Sequence, residues 1–145
     1  MLVHQILKAK QGGGAIFTIK PTAAVHDAAV IMAEKRIGAL IVSEDGETPV
    51  GIVSERDIVR ELGLAGNGCL ILKIGQLMTK DLVCCDCDST AEEVMSKMSE
   101  GRFRHMPVLE DGKMVGLITQ GDLVKTRLDE LAMERNALEG MIMGY

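Results

Sequence analysis

At 145 residues, 47% hydrophobic and 2% aromatic, the chain can build one compact aliphatic core or two very small ones, but it lacks the rings for a base-stacking nucleic-acid platform. Its net charge of −5, from 16 basic and 21 acidic residues without a positive run, argues against DNA or RNA as a partner. No stretch approaches the ~20 apolar residues of a membrane helix, and Met1-Leu2-Val3-His4-Gln5 lacks the pattern of a signal peptide. The four cysteines are therefore expected to be free thiols of a cytoplasmic protein that needs no membrane.

Val3-His4-Gln5-Ile6-Leu7 opens the chain and has a counterpart in Ile74-Gly75-Gln76-Leu77-Met78. The run Gln11-Gly12-Gly13-Gly14 that follows is not a phosphate-binding P-loop, because an apolar strand (15–19) comes next rather than Lys-Ser/Thr and a helix. Val25, Ala28, Ala29 and Met32 recur at i, i+3, i+4 and i+7, the stripe of a half-buried helix, with His26 beside it on the surface. Strands over 39–42 and 50–53 flank Asp45-Gly46, a hairpin signal, and a helix begins at Ser54. Residues 64–72, with Gly66-Asn67-Gly68, read as a linker.

The same order then returns. A strand covers 82–85, a helix carries Ala91, Val94, Met95 and Met98 behind a capping box of Ser89 with Glu92, and strands over 106–109 and 114–118 flank Asp111-Gly112 before a helix from Thr119. Matching positions are identical at Met32/Met98, Val42/Val108, Asp45/Asp111, Gly46/Gly112, Gly51/Gly116 and Asp57/Asp122. The chain therefore divides into repeats 1–65 and 66–128 with a helical tail 129–145, an α/β protein of two β-α-β-β-α units. One unit buries too little surface alone, so two pack by their sheets with pseudo-two-fold symmetry, leaving clefts between them.

The most informative repeated element is Gly51-Ile52-Val53-Ser54-Glu55-Arg56-Asp57, matched by Gly116-Leu117-Ile118-Thr119-Gln120-Gly121-Asp122. Each puts a hydroxyl at a strand-to-helix junction, where free N–H groups favour a phosphate, and a carboxylate three residues on that can accept a ribose diol. The same spacing is that of a helix capping box; the repetition of the whole setting is what favours a site.

These residues, with Pro107-Val108 and Asp111-Gly112 upstream, resemble a tandem pair of cystathionine-β-synthase (CBS) domains, the stand-alone Bateman module, over roughly residues 1–128. The resemblance implies an adenine-containing ligand in the inter-repeat clefts: AMP first, with ATP, ADP, NAD(H) or S-adenosylmethionine as other members of the class. It implies ribose contacts from Asp57 and Asp122, nearby hydroxyls from Ser54 and Thr119, and adenine packed against strand residues such as Val83, Met106 and Pro107. Association of two modules as a homodimer is also implied.

Arg104 and His105, just before the second strand of repeat 2, are read as phosphate ligands, whereas Arg102 is read as part of an exposed patch. Repeat 1 has the uncharged Ile37-Gly38-Ala39 there, so Ala39 would border a base while phosphates turn to Arg56 or Lys20. Repeat 2 is thus expected to be the better site and occupancy unequal.

Cys84-Cys85-Asp86-Cys87 lacks the two separated pairs that zinc prefers, so no metal is expected. No hydroxyl, histidine and acid converge in sequence as a nucleophilic site, so no enzyme is expected either. Val124, Leu131 and Leu138 recur every seven residues, a stripe read as a dimer seam. The expected role is a regulatory sensor of energy or redox state that signals to an unidentified effector protein; the rival is a ligand-free interaction scaffold.

Overall fold

A computed structural model describes residues 1–10 and 16–144 of the chain. Helix α1 (Val3–Ala9) comes first, then strand β1 (Thr18–Ile19), helix α2 (Val25–Lys35), strands β2 (Ala39–Val42) and β3 (Gly51–Ser54), and helix α3 (Glu55–Ala65). A 3₁₀ stretch, Gly66–Ile71, leads to the short helix α4 (Ile74–Leu77), helix α5 (Ala91–Gly101), strands β4 (His105–Glu110) and β5 (Lys113–Thr119), and helix α6 (Gln120–Ile142). The expected linker is thus partly ordered, and it buries Cys69 to 1% exposure. The expected tail is the continuation of α6, which runs unbroken for 23 residues.

The two sheets repeat one plan. β2 pairs antiparallel with β3, and β4 with β5, in registers that set Ala39 opposite Ser54 and His105 opposite Thr119. β1 adds in parallel to β2. Ala15 of the strand expected there, and the run Gln11-Gly12-Gly13-Gly14, lie outside the described residues. The strand expected over 82–85 is corrected to a single parallel bridge between Cys85 and Val108. Its only rungs are Cys85 N–H to Pro107 O at 3.0 Å and Leu109 N–H to Cys85 O at 2.9 Å. The chain then leaves at once in a turn held by Asp86, whose Oδ1 accepts the Asp88 N–H at 2.9 Å.

That turn also corrects the expected capping box. Ser89 bonds with Asp86 at 3.3 Å, so the cap of α5 falls one residue later: Glu93 N–H donates to Thr90 Oγ1 at 3.1 Å and Thr90 N–H to Glu93 Oε2 at 3.4 Å. At the second hairpin Asp111 and Gly112 both take positive φ, 53° and 79°, as a tight two-residue hairpin turn requires. The longer first turn is knitted by Asp45, whose Oδ1 accepts the N–H groups of Thr48 at 2.8 Å and Glu47 at 2.9 Å. Those backbone donors, with the Ser43 hydroxyl, hold its carboxyl down to about 2.

Each repeat has its own core, yet the cores exchange their lead-in helices. The first gathers Ile19, Val25, Ala28, Met32, Leu40, Val42, Val53 and Ile58, and is completed by Ile74 of α4. The second gathers Cys85, Val94, Met98, Met106, Val108, Ile118 and Leu123, and is completed by Val3 and Ile6 of α1. Backbone bonds repeat the exchange: Val3 N–H donates to Ser89 O at 2.9 Å ahead of α5, and Ile74 N–H to Ala23 O at 2.8 Å ahead of α2. The repeats are therefore tied by interchange of α1 and α4, and by the Met114 N–H donating to Glu47 O of the first hairpin at 2.8 Å.

Candidate functional site

The glycine of the repeated motif is required by that interchange. A Cβ on Gly51 would sit 2.5 Å from Met78 Sδ and 3.0 Å from Thr79 O, and one on Gly116 would sit 2.6 Å from Leu7 Cδ2. Leu7 and Met78 are the last residues of the matched opening segments, so a bare backbone at each strand lets them close over it. On the first side Thr79 then bridges to Ile52, which brings Leu82 and Val83 beside the end of β3.

Ser54 caps α3 with extended backbone, and Asp57 returns the bond. Asp57 N–H donates to Ser54 Oγ at 3.3 Å, while Asp57 Oδ2 accepts the Ser54 N–H at 2.8 Å and its hydroxyl at 3.0 Å. The capping box of the motif is thus formed at Asp57. Oδ2 is committed to the cap, whereas Oδ1 is taken by Arg60 Nη2 at 2.7 Å, from a side chain 64% exposed.

Asp57 borders a cleft of about 420 Å³ between the repeats, within the size range of small-molecule sites. Of the expected site residues, the cleft gathers Ser54, Arg56, Asp57, Val83, Arg104 and His105. It also takes Arg102, read above as surface, together with Glu55, Arg60, Asp81 and Phe103, which the sequence reading missed. Arg60 had a signal available: it lies one helical turn past the acid, as Lys125 does in the other copy.

The pairing of groups differs from expectation. Arg104 and His105 share their cleft with Asp57 of the other repeat, not with Asp122 of their own. The start of β4 lies against the start of α3. A Cβ on Gly38 would lie 3.4 Å from Glu55 Oε1 and 3.7 Å from His105 Nε2, in ordinary contact with both, so the three positions are neighbours. Lys20, Ala39, Met106, Pro107, Thr119 and Asp122 do not line this cleft. Lys20 is exposed, Ala39 is buried in β2, Met106 packs into the second core, and Pro107 is buried in β4 opposite Leu117.

Four guanidiniums (Arg56, Arg60, Arg102, Arg104) face three carboxylates (Glu55, Asp57, Asp81) around the cleft, a lining suited to a ligand with one anionic end and one hydrogen-bonding end. Burial depresses the pKa of His105, with Lys10 and Arg104 adding to the effect and Glu55 and Asp122 opposing it. A histidine with a lowered folded pKa contributes nothing above the unfolded value of about 6.5. Below it the unfolded chain takes the proton first, so stability falls with pH until the folded group titrates too. Thermal melts at pH 7 and pH 5.5 should therefore show a smaller acid-side loss in His105→Gln than in wild type; equal losses would remove His105 as the source.

Asp122 has a different environment. It caps α6 reciprocally with Thr119, at 2.9 and 3.1 Å, and Lys10 Nζ lies 3.0 Å from its Oδ2. The thiols are also apart from the cleft's polar groups: burial raises the pKa of Cys85 to about 11 and pushes those of Cys84 and Cys87 up, which leaves them weak nucleophiles. Among the described residues no three His, Cys, Asp or Glu side chains converge as a metal site, and no helix is long and apolar enough to cross a membrane.

The CBS-domain family profile matches residues 15–64 and 74–129. The chain is 30% identical over 141 residues to the CBS domain-containing protein CBSX3, mitochondrial, of Arabidopsis thaliana, covering 94% of this chain and 68% of that one. It superposes on the crystal structure of the CBS-domain containing protein ATU1752 from Agrobacterium tumefaciens with a TM-score of 0.83 and 37% identity, over 88% of this chain and 99% of the other. The CBS domain pair of protein MJ0100, solved with 5′-methylthioadenosine and S-adenosyl-L-methionine, shares the fold at a TM-score of 0.78 and 24% identity, over 90% and 98%.

Proposed function

The chain belongs to the CBS-domain family as a tandem pair, and from that premise we propose that it is a regulatory module binding an adenine nucleotide, AMP foremost, in the cleft over Asp57. One observation carries the proposal: a single inter-repeat cleft combines a carboxylate on a helix N-terminus with four guanidiniums. Asp57 Oδ1 accepts the ribose diol when Arg60, an exposed side chain, swings aside. Arg56, Arg102 and Arg104 take phosphate oxygens, where a guanidinium fork matches the anion geometry. Ile52, Val83 and Phe103 supply the apolar walls for the base.

Because both repeats line the cleft, a ligand held there biases their relative pose, and an effector protein reads that difference. A second copy of the chain docks on α6, whose Val124, Leu128, Leu131 and Leu138 are 47%, 61%, 44% and 59% exposed. Titration calorimetry of the purified chain with AMP, ADP, ATP, NADH and S-adenosylmethionine tests the reading. Saturable heat with at least one of them is expected; no uptake of any would leave an interaction scaffold.

A further inference from the structure

The two lead-in helices are equivalent but unequal. α1 spans seven residues and α4 four. The extra turn carries Lys10, at the C-terminal end of α1, out to the end of β5, where its Nζ donates to Leu117 O at 2.8 Å and pairs with Asp122 Oδ2 at 3.0 Å. In the other copy the carbonyl matching Leu117 is that of Ile52, and it accepts the Thr79 N–H at 2.9 Å instead. One repeat thus satisfies this carbonyl with backbone, the other with a lysine.

The two motif acids are consequently held by cations of different character. Arg60 rises from the same helix as Asp57 and its side chain is 64% exposed, so releasing it returns a charge to water at little cost. Lys10 comes from another element, makes two bonds, and is 22% exposed beside an Asp122 side chain 20% exposed. A diol arriving at Asp122 must displace an ammonium that loses both partners in a half-covered place, where separating charges is costlier than at the surface.

We propose that Lys10 is an internal occupant of the Asp122 position, standing where the second ribose of a symmetric pair would bind and limiting the chain to one nucleotide. This rests on the reading that the motif acid takes a ribose. It reverses the expected ranking of the sites: the copy with Asp122 is occupied from within and the copy with Asp57 is open.

The test uses the full chain in an Asp57→Ala background, where the open cleft is disabled, titrated with AMP, ATP, NADH and S-adenosylmethionine. Asp57→Ala alone should bind about 100-fold more weakly than wild type. Adding Lys10→Met, which keeps the apolar stem and removes the charge, should restore binding of one nucleotide per chain, and adding Asp122→Ala should abolish it again. Lys10→Gln, which can still donate to Leu117 O, serves if the methionine variant does not fold. Failure of a folded Asp57→Ala/Lys10→Met or Asp57→Ala/Lys10→Gln chain to bind overturns the proposal, as does wild-type stoichiometry of two per chain. If wild type binds nothing and the Lys10 variants do, the Asp57 reading fails and the role of Lys10 stands.

Discussion

Asp57→Ala should weaken binding of the preferred nucleotide about 100-fold, while lowering stability by only about 1 kcal/mol. The two effects arise from different oxygens of one carboxylate. Oδ2 closes the cap of α3 with the Ser54 N–H and hydroxyl, and the loss of a capping partner is a modest local cost. In the proposed complex Oδ1, held by Arg60 in the free chain, is the acceptor for the diol, and a charge-assisted bond to each hydroxyl contributes about 1.5 kcal/mol apiece, or two powers of ten in affinity together. Asp57→Asn keeps an acceptor without the charge and should lose about tenfold. Calorimetry gives the affinities and a denaturant titration the stability. An Asp57→Ala affinity within twofold of wild type would reduce Asp57 to a helix cap.

The second large effect is expected far from the cleft. Ile6→Ala, in helix α1, should cost about 2–4 kcal/mol, the range for deleting a buried branched side chain in a well-packed core. Ile6 is 3% exposed and completes the core of the second repeat, not of the repeat it precedes. The loss should therefore appear there first: in native-state hydrogen exchange, amides of β4 and β5 should lose protection ahead of those of β2 and β3. Ile74→Ala, 0% exposed in the first core, should give the reverse order. A cost below about 1 kcal/mol for Ile6→Ala, or first losses in β2 and β3, would mean that α1 does not support the core it packs against.

Ile6 also marks the boundary between local and tertiary information in this chain. The match of Val3-His4-Gln5-Ile6-Leu7 to Ile74-Gly75-Gln76-Leu77-Met78 is visible in the letters, but nothing in the letters says which core either segment enters. That depends on the short backbone bridges ahead of α5 and α2 and on the bare strands at Gly116 and Gly51.

The duplication, the stripes of α2 and α5, and the hairpins at Asp45-Gly46 and Asp111-Gly112 were legible in the chain alone, whereas helices α1 and α4 and the reduction of 82–85 to a single bridge were not. The legible features depend on periodicity and on backbone preferences that act over a few residues. Also legible was the capping box of Ser54-Glu55-Arg56-Asp57, whose spacing sets a carboxylate on the N-terminus of α3. What only the tertiary structure decided is which groups meet. Arg104 and His105 face Asp57 across the pseudo-two-fold axis, and Lys10, from a turn that α4 lacks, pairs with Asp122. Contacts between repeats follow from which core each lead-in helix enters and from its length, and neither is encoded at the spacing of a local motif.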